Sequence, residues 1–220
     1  MKKATKIIAL LLCAVLLVGA SVAGTLAYLT SQDSVKNTFT VGNVKITLDE
    51  APVDTDGQAI AGARVKKNTY HLLPGHEYDK DPTVHVDTKS DDCYVFVEVT
   101  NEITAIEDPN ATIKAWMLAN GWTLVTGETA VYYYSGTGET ANAAGKICKA
   151  GDNLVVFEGF KIADNVSGDT LKTYAPVIDA ENEENSVYKT IAVTAYAVQE
   201  DGFTGANDAW SKSFGAENNA

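Results

Sequence analysis

Alternating apolar and polar residues predict a series of short β-strands along the chain. The segment VKITL places Val44, Ile46 and Leu48 on one side, which is the two-residue period of a half-buried strand. A similar pattern, rich in β-branched and aromatic residues, recurs in TVHV, CYVFVEVT, NLVVFEGFKI and YKTIAVTAYAV. WTLVTGETAVYYYSG predicts a hairpin that turns at Gly127. Because YKTIAVTAYAV is apolar on both faces, it predicts a strand in the middle of a sheet.

The segment before the first of these strands, residues 28–41, has four apolar residues at odd-numbered positions, which lie on one side of an extended chain. These residues are Leu29, Val35, Phe39 and Val41. The apolar residues change from odd-numbered to even-numbered positions across Gly42 and Asn43, which predicts a turn or a bulge at that point.

One segment, EDPNATIKAWMLANGW, has the spacing of an amphipathic helix. Its apolar side consists of Ile113, Trp116, Met117 and Leu118. Asp108 or Asn110 is placed to cap the N-terminus of this helix, and Asn120 and Gly121 are placed to end it.

Together these elements predict an all-β fold. Many short strands at hairpin spacing with one helix are typical of an antiparallel β-sandwich, here jelly-roll-like, with one short helical insertion. We expect this domain to span residues 28–210. Residues 211–220 contain too few apolar side chains to fold alone, which predicts a flexible tail.

The first 27 residues have the features of an export signal. Three lysines precede the apolar run IIALLLCAVLLVGA, and small residues in TLA predict cleavage between Ala27 and Tyr28. Cleavage after residues 21–23 (SVA) is an alternative, as is retention as an anchor, since the apolar character continues to Leu29. The prediction is a secreted protein that meets the membrane only through its uncleaved signal.

The charge of the chain argues against two classes of partner. The formal net charge is −12, and all 29 acidic residues follow residue 27. Such a chain repels nucleic acid and anionic lipid, so neither is an expected partner.

Cysteine usage agrees with export. Cys13 lies inside the predicted signal, so a mature chain retains Cys93 and Cys148, which have a single way to pair. The alternative is that Cys93, at the start of the strand CYVFVEV, is a buried free thiol that behaves as a small apolar residue.

The sequence contains no recognisable catalytic motif. Histidines occur at positions 71, 76 and 85, and HEYDK has Lys80 where a helical zinc motif needs a second histidine. DTDG at residues 54–57 begins like a calcium loop, but Val65 occupies the position of the bidentate carboxylate. No nucleophile elbow, phosphate loop or dinucleotide fingerprint is present. We therefore predict no catalytic residue, no metal and no cofactor.

The chain resembles the TasA/camelysin family of secreted Gram-positive proteins, most strongly over residues 1–50 and thinly over the rest. The apolar run followed by GTLAYLT, and then NTFTVGNVKITL, is similar to the export signal and first strands of that family. LLPGHEYDKDPTVHV, CYVFVEV and TIAVTAYAVQ are similar, more weakly, to its later strands. The likeness is weakest over residues 102–185, which carry the predicted helix and hairpin.

This resemblance implies a specific biology. A SipW-type signal peptidase would cut after Ala27, and the mature chain would form a jelly-roll-like sandwich in extracellular matrix fibres. In such fibres the freed N-terminal segment of one subunit completes the sheet of the next, so that Leu29, Val35, Phe39 and Val41 would be the anchors of a donor strand. The alternative is that residues 37–41 form the first strand of their own domain.

Two other functions are alternatives to a matrix protein. The camelysin branch of the family carries a metallopeptidase label, for which this chain offers no ligand motif. A surface-displayed binding module would use exposed aromatic residues, with Trp122 and residues 132–134 as candidates.

Overall fold

Short β-strands make up most of the regular structure. The computed structural model describes residues 43–175 and 189–215. The strands in these residues are β1 (Ile46–Asp49), β2 (Glu77–Asp79), β3 (Thr83–Val86), β4 (Cys93–Asn101), β5 (Trp122–Leu124), β6 (Val131–Tyr134), β7 (Asn153–Val155), β8 (Gly159–Lys161) and β9 (Ile191–Gln199). The helices are α1 (Ile113–Ala119), α2 (Gly168–Lys172) and α3 (Ala206–Ser213), with 3₁₀ turns at Thr104–Ile106 and Gly138–Thr140.

The strands form three antiparallel sheets, and the prediction of a mainly β fold is confirmed. Their strand orders are β1-β3-β7, β2-β8 and β5-β6-β4-β9. The longest pairing joins β4 to β9, from Cys93 opposite Gln199 to Asn101 opposite Ile191. The predicted hairpin is present as β5 and β6, with Gly127 in the turn at a φ of 90° that favours glycine. All described residues belong to one compact unit.

Strand β4 is buried on both faces. Its odd-numbered side chains, including Val95 and Val97, belong to a larger hydrophobic cluster that also contains residues of β3, β7, β8 and α1. Tyr94 and Phe96 point to the opposite face, into a smaller cluster that contains Ala209 and Trp210 of α3. The four-stranded sheet therefore has side chains packed against both of its faces.

Helix α1 begins later than the sequence predicts. Its N-cap is Thr112, whose hydroxyl accepts a hydrogen bond from the Ala115 N–H at 3.2 Å. Asp108 does not cap the helix, because its carboxylate accepts from the Asn110 N–H at 2.9 Å and pairs with Lys161. The predicted end of the helix is confirmed, with Asn120 as the C-cap followed by Gly121 at a φ of 85°.

Two further helices correct the expectation of a single helical insertion. Helix α2 is short and is capped by Ser167, whose hydroxyl accepts from the Thr170 N–H at 3.1 Å. Helix α3 is held by tertiary packing, because Ala206, Ala209 and Trp210 all lie in the smaller cluster. None of the helices in the described part of the chain has the length and apolar character to span a membrane.

The folded domain also extends beyond its predicted end at residue 210. Helix α3 continues to Ser213, and the ring of Phe214 lies 4.8 Å from that of Trp210 and 6.3 Å from that of Phe96. Residues 211–214 are therefore part of the folded domain, which corrects the predicted start of the tail. Residues 216–220 lie outside the described residues.

One buried ion pair and a more exposed arginine cluster fix the loop that follows β1. Lys80 Nζ lies 2.5 Å from Glu50 Oε2, and these side chains are 9% and 7% exposed. Arg64 donates to the carboxylates of Asp49 and Asp81, and to the Thr83 hydroxyl at 3.0 Å. These contacts attach the residues between β1 and β2 to the edge of the β1-β3-β7 sheet.

Candidate functional site

The residues predicted for processing and strand donation lie outside the described part of the chain. They are Ala27, Tyr28, Leu29, Val35, Phe39 and Val41.

Cys93 and Cys148, far apart in the sequence, lie directly opposite each other as an isolated antiparallel bridge. The Cys93 N–H donates to the Cys148 carbonyl at 3.1 Å, and the Cys148 N–H donates to the Cys93 carbonyl at 2.8 Å. Both side chains are fully buried. Both carry free thiols, and burial raises the pKa of Cys93 to about 11 and that of Cys148 to about 12.

Two of the three histidines have structural partners. His76 Nε2 lies 2.8 Å from the Asp56 carbonyl oxygen, and His85 Nε2 lies 2.9 Å from Asp49 Oδ1. Among residues 43–175 and 189–215, no group of three or more His, Cys, Asp or Glu side chains could hold a metal ion. The resemblance of residues 54–57 to a calcium loop has a structural explanation, because Asp54 Oδ1 accepts from the Asp56 and Gln58 N–H groups in a turn.

The aromatic residues that suggested a binding surface face inward. Trp122 is buried, and its Nε1–H donates to the Val155 carbonyl at 2.9 Å. Tyr132 and Tyr133 are buried, and Tyr134 is half-buried. These residues therefore belong to the two clusters and form no exposed aromatic platform.

Within residues 43–175 and 189–215, one hydrogen-bonding side of strand β9 has no partner strand. Two hydrogen bonds, one beside each end of β9, show which of its residues face β4. The Glu102 N–H donates to the Thr190 carbonyl, and the Glu200 N–H donates to the Asp92 carbonyl, each at 3.0 Å. Even-numbered residues of β9 therefore turn their main-chain groups toward β4. The odd-numbered residues direct N–H and C=O away from it: Ile191, Val193, Ala195, Ala197 and Gln199. No other strand of the described residues pairs with that side.

The sequence predicts that β9 lies in the middle of a sheet, and the described residues supply one of its two neighbours, β4. Within the described residues it is an edge strand, nine residues long. Its odd-numbered apolar side chains are only partly buried against the larger cluster: Ile191, Val193, Ala195 and Ala197. A long apolar edge strand presents a ready template for another strand, and proteins usually cover or interrupt such an edge.

The neighbouring strand β1 belongs to the other large sheet and lies beside β9. Its apolar side chains, Ile46 and Leu48, are partly buried against the same larger cluster as those of β9. The outer side of β1 is already in use at its end, because Lys66 Nζ donates to the Leu48 carbonyl and Glu50 pairs with Val65. The edge of β9 is therefore the longer surface available for main-chain pairing, and we call it the β9 edge.

Comparison with known proteins gives no match. No protein-family model, no curated protein and no solved structure matches this chain. The sequence and the geometry of the β9 edge are therefore the basis for a proposed function.

Proposed function

We propose that this protein is a secreted structural protein of the extracellular matrix or cell surface, and that it assembles into fibres by donor-strand exchange. The β9 edge is the observation that carries the proposal. It offers five outward N–H and C=O pairs on one strand, and its core-facing side chains are only partly buried. An extended segment that pairs there adds a strand to the sheet, with side-chain pockets on alternate residues.

The donor is residues 28–41 of a second copy of the chain. Their four apolar side chains share one parity and so lie on one face of an extended strand, and the acceptor surface between β1 and β9 is apolar. The second copy must be cut between Ala27 and Tyr28 by a SipW-type signal peptidase, because an attached signal tethers the segment to the membrane. Assembly therefore begins only after the signal has been removed.

Burial of apolar side chains is the main driving force for this contact in the proposal. Burial of Leu29, Val35, Phe39 and Val41 contributes on the order of 6–10 kcal/mol before the cost of ordering the segment. Main-chain hydrogen bonds to the β9 edge add about 1 kcal/mol each. In this proposal the two larger sheets form a jelly-roll-like sandwich, supported by the larger cluster, which takes side chains from both of them.

The proposal is tested by removing the donor and supplying it as a peptide. A chain without residues 1–41 should be a soluble folded monomer, and the mature chain should form fibres visible by negative-stain electron microscopy. A peptide of residues 28–41 should raise the melting temperature of the shortened chain, because a ligand that binds only the folded state stabilises it. A Phe39→Asp peptide should have no effect, since it would bury a charge. The matched control, Thr40→Asp, places the charge on the opposite face and should retain most of the effect.

Two results would contradict donation between subunits. If residues 37–41 are the first strand of their own domain, the shortened chain should unfold and no peptide should rescue it. A shortened chain that stays folded and does not respond to the peptide would mean that the segment is only a linker. N-terminal sequencing of the secreted protein should begin at Tyr28; a start at Gly24 would point to cleavage after residues 21–23.

A further inference from the structure

We infer that Cys93 and Cys148 form an intramolecular disulfide in the exported protein. Residues that exchange both main-chain hydrogen bonds across an antiparallel pair have Cα atoms about 5.5 Å apart, and disulfides span about 4.4–6.8 Å between Cα atoms. Directly opposite residues also place their side chains on the same face of the sheet, with Cβ atoms about 5.5 Å apart in a hydrogen-bonded pair, so the bond must draw these atoms to about 3.5–4.5 Å. This inference does not depend on fibre assembly.

The surroundings favour a bond over two free thiols. Both side chains are fully buried in the larger cluster, and the Cys148 thiol makes a weak contact of 3.7 Å from Sγ to the Lys146 carbonyl oxygen. The flanking residues hold the same register, because Lys149 forms an ion pair with Asp92. Cys148 lies on the connection from β6 to β7, so the bond would join this crossover between sheets to the first residue of β4.

The reaction is thiol–disulfide exchange with an external disulfide, either a small molecule or a thiol–disulfide oxidoreductase. One cysteine thiolate attacks the external disulfide, forms a mixed disulfide and releases one external thiolate. The second cysteine thiolate then attacks the protein sulfur of the mixed disulfide and releases the other external thiolate. The protein loses two protons and two electrons, and the external disulfide becomes two thiols.

Burial determines when this reaction occurs. Thiolate is the reacting form, and an enclosed thiol with a raised pKa is both poorly ionised and inaccessible. We therefore expect the bond to form while the chain folds after export. Once the sheet has closed, the same burial should make the bond slow to reduce until the domain opens.

Peptide mapping tests the bond directly. The full chain is secreted into medium that contains an alkylating agent, denatured without reductant and cleaved after Lys and Arg. Cys93 then lies in the peptide of residues 90–114 and Cys148 in residues 147–149, and a chain that keeps its signal also has Cys13 in residues 7–36. We expect the first two peptides to be linked. Separate alkylated peptides, a link to residues 7–36, or a link between two copies would overturn the inference.

A melting experiment tests the same bond by its effect on stability. The bond closes a loop of about 55 residues, which corresponds to a melting temperature roughly 8–16 °C higher for the oxidised chain than for the reduced chain. The matched control is the double variant Cys93→Ala/Cys148→Ala, which should melt near the reduced chain and should not respond to reductant. An equal response of the wild type and the double variant to reductant would count against the bond.

Discussion

Proline substitutions in β9 distinguish a free edge from a covered one. Proline has no N–H, and it is tolerated in an edge strand where the lost N–H faces solvent. Thr194 and Ala195 are neighbours, but the Thr194 N–H turns toward Glu98 of β4, whereas the Ala195 N–H turns outward. Thr194→Pro and Ala195→Pro therefore remove donors on opposite sides of the same strand.

The expected costs follow from the partners of these two donors. Thr194→Pro removes one main-chain hydrogen bond and leaves the Glu98 carbonyl unsatisfied, so it should lower the free energy of unfolding by about 2–4 kcal/mol. Ala195→Pro removes no hydrogen bond within the described residues and should change the free energy of unfolding by no more than about 1 kcal/mol. For a domain of this size the two variants should differ in melting temperature by roughly 2–16 °C.

The assay has two parts. Urea unfolding of the mature chain measures stability, and electron microscopy with peptide titration measures assembly. Ala195→Pro should keep the domain folded, prevent fibres and weaken binding of the residue 28–41 peptide by about tenfold or more, which corresponds to one lost hydrogen bond and a blocked approach. Equal destabilisation by the two substitutions would show that the Ala195 N–H is already bonded in the free chain, and would refute the open β9 edge.

Three further predictions concern the stability of the domain. Burial raises the pKa of Glu107, so its stabilising contribution is complete below the ordinary carboxyl pKa and is lost as pH rises through the folded-state value. Glu107→Gln, which keeps an acceptor for the Ile113 N–H, should therefore stabilise the chain more at pH 7 than at pH 4 in urea unfolding; a pH-independent difference would contradict this. Lys80→Ala should cost about 3–5 kcal/mol because it leaves the Glu50 carboxylate buried and unpaired, whereas Lys80→Met combined with Glu50→Leu should recover most of that loss. Trp210→Ala should cost about 3–5 kcal/mol in thermal unfolding, and a loss below about 1 kcal/mol would mean that α3 is not part of the cooperative core.

Local sequence patterns were sufficient for several parts of the fold. The β5–β6 hairpin follows from alternation on both sides of Gly127, and the end of α1 follows from Asn120 and Gly121. These features depend on residues close together in the chain, so sequence reasoning could find them.

Features that depend on distant partners were missed. Helix α3 has few apolar residues, and its packing depends on a sheet face formed far away in the sequence. The spacing of Ala206, Ala209 and Trp210, at intervals of three and four, is the one signal that could have indicated it. The cap of α1 was misassigned because Asp108 bonds to Asn110 and Lys161 instead.

The position of β9 shows a more general limit of pattern reading. Apolar residues on both faces report what lies above and below a strand, and here these are the larger cluster and the cluster that includes α3. Main-chain pairing runs in the plane of the sheet, perpendicular to both faces, and leaves no trace in the side-chain pattern. The side-chain pattern therefore could not indicate the β9 edge.

Strand β4 contributes side chains to both hydrophobic clusters. Val95 and Val97 enter one cluster, and Tyr94 and Phe96 enter the other, so separation of β4 from its neighbours disrupts both at once. The clusters should then melt in one transition, and the amide protons in the centre of β4 should exchange with solvent only when the whole domain opens. The centre of the sheet would thus be the slowest-exchanging region of a protein whose proposed assembly surface lies one strand away.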